Sequence, residues 1–124
     1  MSAWLELAGD NRIAAQELAS MGRFRSSVSR SYYAAYAGVT HLLVGKVNYP
    51  SGRNNPSHQS ILGHIVHNLP DVAESKRRTV RRDFSALLKA RIDADYRPGL
   101  SCDSDIARQA RIRSDSILEE IGFL

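Results

Sequence analysis

One cysteine, Cys102, stands among the 124 residues. An internal disulfide and a thiolate cage around a metal are therefore both excluded, and stability has to come from an ordinary core. Long apolar runs are missing too. The longest, Ala34 to Val44, is broken by Thr40 and His41 and falls short of the roughly 18 to 20 residues a membrane span needs. The opening residues carry no basic stretch and reach Glu6 and Asp10 at once, the wrong order for a secretory signal, so a cytoplasmic protein is expected. No window of four or more residues alternates as a half-buried strand requires. A glycine-rich phosphate loop, a nucleophile elbow and a nucleotidyltransferase signature are all lacking.

What is present is an ordinary globular composition, 43% hydrophobic and 24% charged, which excludes wholesale disorder. The length suits a single domain, residues 1–124, able to bury roughly two-thirds of its unfolded surface. Seventeen basic residues against thirteen acidic give +4, a bias that permits a polyanionic partner without demanding one.

Apolar spacing is helical throughout, which predicts an all-α fold. A first helix over about 2–21 lines up Trp4, Leu7, Ala8, Ala14, Ala15 and Leu18 and stops at Gly22. A second, about 25–45, carries Val28, Tyr32, Ala35, Tyr36, Val39, Leu42 and Leu43, and the two form a hairpin. Lys46 to Pro56, with two prolines, Gly52 and three asparagines, reads as a mobile loop. Ser57 caps a short third helix that buries Ile61, Leu62, Ile65 and Leu69 and ends at Pro70. The fourth, about 73–95, presents Val80, Phe84, Leu87 and Leu88 and stops at Pro98-Gly99; Asp103 or Ser104 caps the fifth, which runs through Ile106, Ala110, Ile117, Leu118 and Ile121. Four long helices and one short one on short connections predict an antiparallel up-and-down bundle. Ala34, Ala35, Ala37 and Gly38 leave one side of the second helix smooth enough for close approach.

Arg91 continues the apolar line of the fourth helix and so needs a partner, a cleft or a subunit interface. Asp95 is spaced for an i,i+4 pair with it, and Tyr96 follows. Lys76, Arg77, Arg78, Arg81 and Arg82 crowd the start of the same helix against its dipole. They read either as a solvated face or as a contact for phosphates. His64 and His67 lie one turn apart without a third ligand and read as surface residues, so no metal or other cofactor is expected. Cys102 reads as structural. Tyr32 and Tyr36 fit the core with their tips at the surface, whereas Tyr33 lies off the stripe and faces another helix or subunit.

Ser29-Arg30-Ser31-Tyr32-Tyr33-Ala34-Ala35-Tyr36, the later His58, and Arg91-Ile92-Asp93-Ala94-Asp95-Tyr96 before a final helix together resemble the HEPN domain family. The likeness is closest to its small stand-alone prokaryotic members with an Arg-x-x-x-Asp-Tyr ending on the fourth helix, and it covers about residues 3 to 121. The resemblance implies a helical homodimer with the fourth-helix motifs around a shared cleft. It also implies a metal-independent ribonuclease acting as a toxin in toxin-antitoxin or phage-defence systems, with a nucleotidyltransferase-type antitoxin as partner.

Arg91 matches the family arginine. Where members usually carry a histidine four to six residues later, this chain has Tyr96, and no histidine follows His67. A phenol, with an ordinary pKa of about 10, is a poor base for deprotonating a ribose hydroxyl. The resemblance therefore assigns Arg91 to transition-state charge, Asp95 or Tyr96 to assistance and His58, on the third helix, to the missing base. RNA binding falls to Arg77, Arg78, Arg81 and Arg82. The alternatives are a non-catalytic dimer that holds RNA or a nucleotide, and an interaction module for the nucleotidyltransferase partner.

Overall fold

The first reversal of the chain turns on Gly22, whose φ of 76° lies in the left-handed region that side chains with a Cβ disfavour. It separates α1 (Ala3–Ser20) from α2 (Phe24–Leu43), close to the predicted limits. The computed structural model describes residues 2–50 and 52–124; Met1 and, within the predicted loop, Ser51 lie outside the described residues. At the start of α1, the Ser2 hydroxyl accepts from the Leu5 amide at 3.2 Å, relieving one of the unpaired first-turn donors.

The short α3 (Ile61–His67) begins later than the sequence suggests. Ser57 accepts at its hydroxyl from the Ser60 amide at 3.1 Å, so it caps the turn before the helix, and the N-cap position itself falls to Ser60. His58 consequently sits in that turn and not on α3. Then come α4 (Glu74–Tyr96) and α5 (Ser104–Glu120). Of the two caps proposed for α5, Asp103 is the one used, its carboxylate accepting from the Ile106 amide at 3.0 Å.

Partner residues give the directions of the helices. Ser27 and Arg30 of α2 reach back to Ala15 and Asn11 of α1, so positions descend in one helix as they ascend in the other. The same antiparallel order joins α2 to α4 through Ser29–Asp95 and Tyr33–Arg91, and α4 to α5 through Asp83–Arg113 and Lys76–Glu120. The long helices thus form an up-and-down bundle around α2, which packs against α1, α4 and α5.

Tyr32, Val39 and Leu43 from α2, Ile61 and Ile65 from α3, Val80, Phe84 and Leu87 from α4 and Ile117 from α5 form the core. Each such side chain contributes about 1.5–3 kcal/mol by leaving water. Close approach occurs where the smooth face of α2 predicts it: a Cβ on Gly38 would stand 2.6 Å from Leu118 Cδ2. Two predicted core residues are corrected. Leu7 is 45% exposed and Ile106 37% exposed; α1 turns its small Ala8, Asn11 and Ala15 inward instead, and α5 begins burying side chains at Ala107. The loop after α2 is tied down by Lys46–Asp71 at 2.9 Å and by the Tyr36 hydroxyl donating to the Pro56 carbonyl at 2.5 Å.

Candidate functional site

Arg91 lies one helical turn beyond Leu87 on the inward side of α4, and its side chain is only 12% exposed. Both ways of tolerating a guanidinium there are used. Its Nε donates to Asp95 at 3.2 Å, and an Nη donates to the Tyr33 hydroxyl at 3.0 Å. Its Cζ also stands 5.4–5.6 Å from the ring centres of Tyr32, Tyr33 and Tyr96, within the range at which the negative face of an aromatic ring attracts a cation. Asp95 is fixed in turn by the Ser29 hydroxyl, which donates to it at 3.2 Å. Tyr96 is 67% exposed, so its phenol borders the site on the solvent side.

His58 joins this cluster from the turn before α3. Its ring centre lies 5.5 Å from that of Tyr32, 6.0 Å from Tyr33 and 5.1 Å from Tyr36, and its Nδ1 is 2.6 Å from the Tyr32 hydroxyl. Arg91 and His58 thus stand against the same two tyrosines without a hydrogen bond between them. Burial, helped by the charges of Arg91 and Arg53, holds the imidazole below the ordinary histidine value of 6.5, so it is neutral at pH 7. Burial also pushes the phenol of Tyr32 well above the tyrosine range and that of Tyr36 upward, so both keep their protons. The His58–Tyr32 bond has two tautomeric forms. With Tyr32 donating, Nε2 carries the ring hydrogen; with Nδ1 donating, the Nε2 lone pair is free to accept a proton.

The basic run at the start of α4 divides. Arg77 is spent on the connection from α3, where an Nη donates to the carbonyls of Val72 at 2.7 Å and Leu69 at 3.4 Å. Arg78, Arg81 and Arg82 are exposed. Arg82 comes within 3.7 Å of Asp83, while Arg78 and Arg81 have no carboxylate within ion-pair distance among the described residues. These exposed arginines lie at the far end of α4 from Arg91, with about 1.5 Å of rise for each intervening residue.

His64 donates from Nδ1 to the Asn68 side-chain oxygen at 2.9 Å. Cys102 borders a cleft of about 420 Å³ between α4 and α5, together with Lys89, Asp93 and Arg113, and burial pushes its thiol up. That cleft contains none of the Arg91 cluster.

Two structural anchors escaped the sequence reading. Arg25 donates to the carbonyls of Asp93, Ala94, Arg97, Pro98 and Leu100, holding the C-terminal end of α4, and with it Asp95 and Tyr96, against α2. Nothing local marks Arg25 for this role. Asp83 is buried and accepts from Arg113 at 3.1 Å and Ser116 at 3.3 Å. Its signal was visible, since it lies three residues after Val80 and four before Leu87 on the buried stripe.

The family model of the HEPN domain matches residues 1–122. Comparison with curated proteins returned no match, nor did comparison with solved structures.

Proposed function

The chain belongs to the HEPN domain family, and on that premise we propose that it is an RNA-directed protein whose Arg91 cluster cleaves RNA without a metal. One observation carries the proposal: His58, neutral at pH 7, stands against the same Tyr32 and Tyr33 rings as Arg91. The cluster thereby supplies a titrating group although Tyr96 occupies the place of the family's motif histidine.

In this reading His58 Nε2, in the tautomer that leaves its lone pair free, takes the proton of a ribose 2′-hydroxyl. The oxygen attacks the adjacent phosphorus, the bond to the 5′-oxygen breaks, and the leaving oxygen takes a proton from the exposed Tyr96 phenol. Arg91 balances the charge that gathers on the phosphoryl oxygens. The products are a 2′,3′-cyclic phosphate and a 5′-hydroxyl end. Two copies related by a two-fold axis bring their α4 motifs to one cleft, and Arg78, Arg81 and Arg82 extend the contact along the phosphate backbone. Within the cell the protein acts in the cytoplasm as the toxin of a toxin-antitoxin or phage-defence pair, restrained by a nucleotidyltransferase-type partner.

A second reading, a dimer that binds RNA or a nucleotide without cutting, is favoured by one feature. Both Asp95 and Tyr33 already occupy donors of Arg91, which leaves fewer of its five N–H groups for a phosphate. Incubating varied RNAs with the purified protein in EDTA separates the two. Cyclic-phosphate ends that vanish in Arg91→Ala support cleavage; intact RNA with Arg91-dependent binding supports the second reading. Light scattering should report a dimer, and a monomer at tens of micromolar would remove the shared cleft.

A further inference from the structure

Beside His58, between the loop after α2 and the start of α3, lies a pocket of about 290 Å³, close to the lower limit of small-ligand sites at about 300 Å³. We infer that this pocket, formed by Asn48, Tyr49, Arg53, Asn55, Ser57 and His64, receives one nucleotide of the RNA strand and selects its base. The inference rests on the RNA-directed reading and adds to it a subsite and a specificity.

The lining is mixed in a way that suits a base more than a bare anion. Asn48 offers an amide donor and acceptor; Asn55, which donates to Asn54 at 3.3 Å and accepts from Arg53 at 3.2 Å, keeps one further N–H and one lone pair; and His64 in its neutral form, with Nδ1 donating to Asn68, presents Nε2 as an acceptor. An anion alone calls for donors, whereas the hydrogen-bonding edge of a base calls for both. Tyr49 adds an aromatic ring, set edge-on to His64 with 6.4 Å between centres, and unpaired bases settle against such rings. Its hydroxyl is buried without a hydrogen-bond partner, a cost that a base opening the pocket and bonding there would recover. Arg53 is exposed, positioned by donating to the Asn55 side chain at 3.2 Å, and matches a phosphate.

Continuity with the Arg91 cluster selects RNA over a free small molecule. Ser57 of the pocket precedes His58 in the chain, and Pro56 before it is held by Tyr36, whose ring packs on His58. The charge of Arg53 reaches both His58 and Tyr36. A strand with its scissile phosphate at His58 therefore has a neighbouring nucleotide beside the pocket.

The test is an NMR titration of the full chain with each of the four nucleoside 5′-monophosphates. Saturable shifts at Asn48, Asn55 and His64, with one base preferred, are expected. Arg53→Ala should weaken that binding about tenfold, the loss of one charge-assisted hydrogen bond, and Asn55→Ala should reduce the preference among bases. Both substitutions lie in a surface loop, and the unchanged remainder of the spectrum checks the fold. No shifts at these residues, or equal shifts with all four bases, overturn the inference. Because the readout is binding, a protein that cuts no RNA still answers the question. Conversely, Arg91-dependent cleavage with a silent pocket refutes the subsite and leaves the proposed function intact.

Discussion

The guanidinium of Arg91 donates to the hydroxyl of Tyr33 at 3.0 Å across 58 positions of the chain. This bond resolves two residues that look misplaced in sequence, a cation on an apolar line and a tyrosine beside one. It also fixes the cation where α2, α4 and the turn before α3 meet, with the ring centres of Tyr32, Tyr33 and Tyr96 5.4–5.6 Å from its Cζ. A charge held in advance in that way stabilises a transition state without reorganising at the moment of reaction.

Arg91→Ala is expected to lower cleavage by about 10²–10³ while changing RNA affinity far less, because only binding gained in the transition state accelerates the reaction. Single-turnover rates and equilibrium binding, compared with a denaturation curve for the same variant, distinguish this from loss of fold. Tyr96→Phe keeps the exposed ring and should lower the rate without altering stability. Equal losses of rate and affinity in Arg91→Ala would leave only the binding role.

The lowered pKa of His58 has a consequence for stability. Its folded value lies below 6.5, so between the two values the unfolded chain binds the proton and the folded one does not. This contribution is fully present above pH 6.5, declines as pH falls toward the folded value and then levels off. His58→Asn should flatten that part of the curve relative to the parent, which isolates it from His41, His64 and His67. If His58 is the base, the acid limb of kcat/KM lies below 6.5, and a limb above that value would assign the titration elsewhere.

Among the α4 cations, Arg77→Ala should destabilise the fold by about 1.5–3 kcal/mol through the carbonyls it leaves, readable as a lower denaturation midpoint. Arg81→Glu with Arg82→Glu should leave the midpoint nearly unchanged and almost abolish binding to single-stranded RNA. Neutralising each contact instead should reduce the log–log salt slope by about 0.7. The same slope with all of them replaced would mark a solvated face.

Arg25→Ala removes the clamp on the α4 terminus. Hydrogen exchange should accelerate at Arg97 and Leu100, which cap that end through turn hydrogen bonds, and cleavage should fall through displacement of Asp95 and Tyr96. Arg25→Lys should not restore the parent, since a single ammonium cannot spread over the carbonyls that the guanidinium fork reaches. Unchanged exchange would show that α2 packing alone holds the helix end.

The all-helical bundle, its five segments and the i,i+4 pair of Arg91 with Asp95 were all legible in the sequence, because periodicity, capping and helix spacing act over a few residues. Gly22 and Asp103 announced their turns for the same local reason. The surroundings of Arg91 beyond its own helix were decided by tertiary structure: Tyr33 comes from α2, His58 joins the same tyrosines from a turn displaced ahead of α3 by the Ser57 cap, and Arg25, at the start of α2, clamps the helix end that carries Asp95 and Tyr96. The division of the basic run was equally invisible, since Arg77 and Arg81 are the same residue type on the same helix and differ only in whether a carbonyl lies within reach. Sequence spacing fixes which side chains share a helical face, but a cavity, a shifted pKa and a spent charge depend on neighbours that only the packing of distant segments brings together.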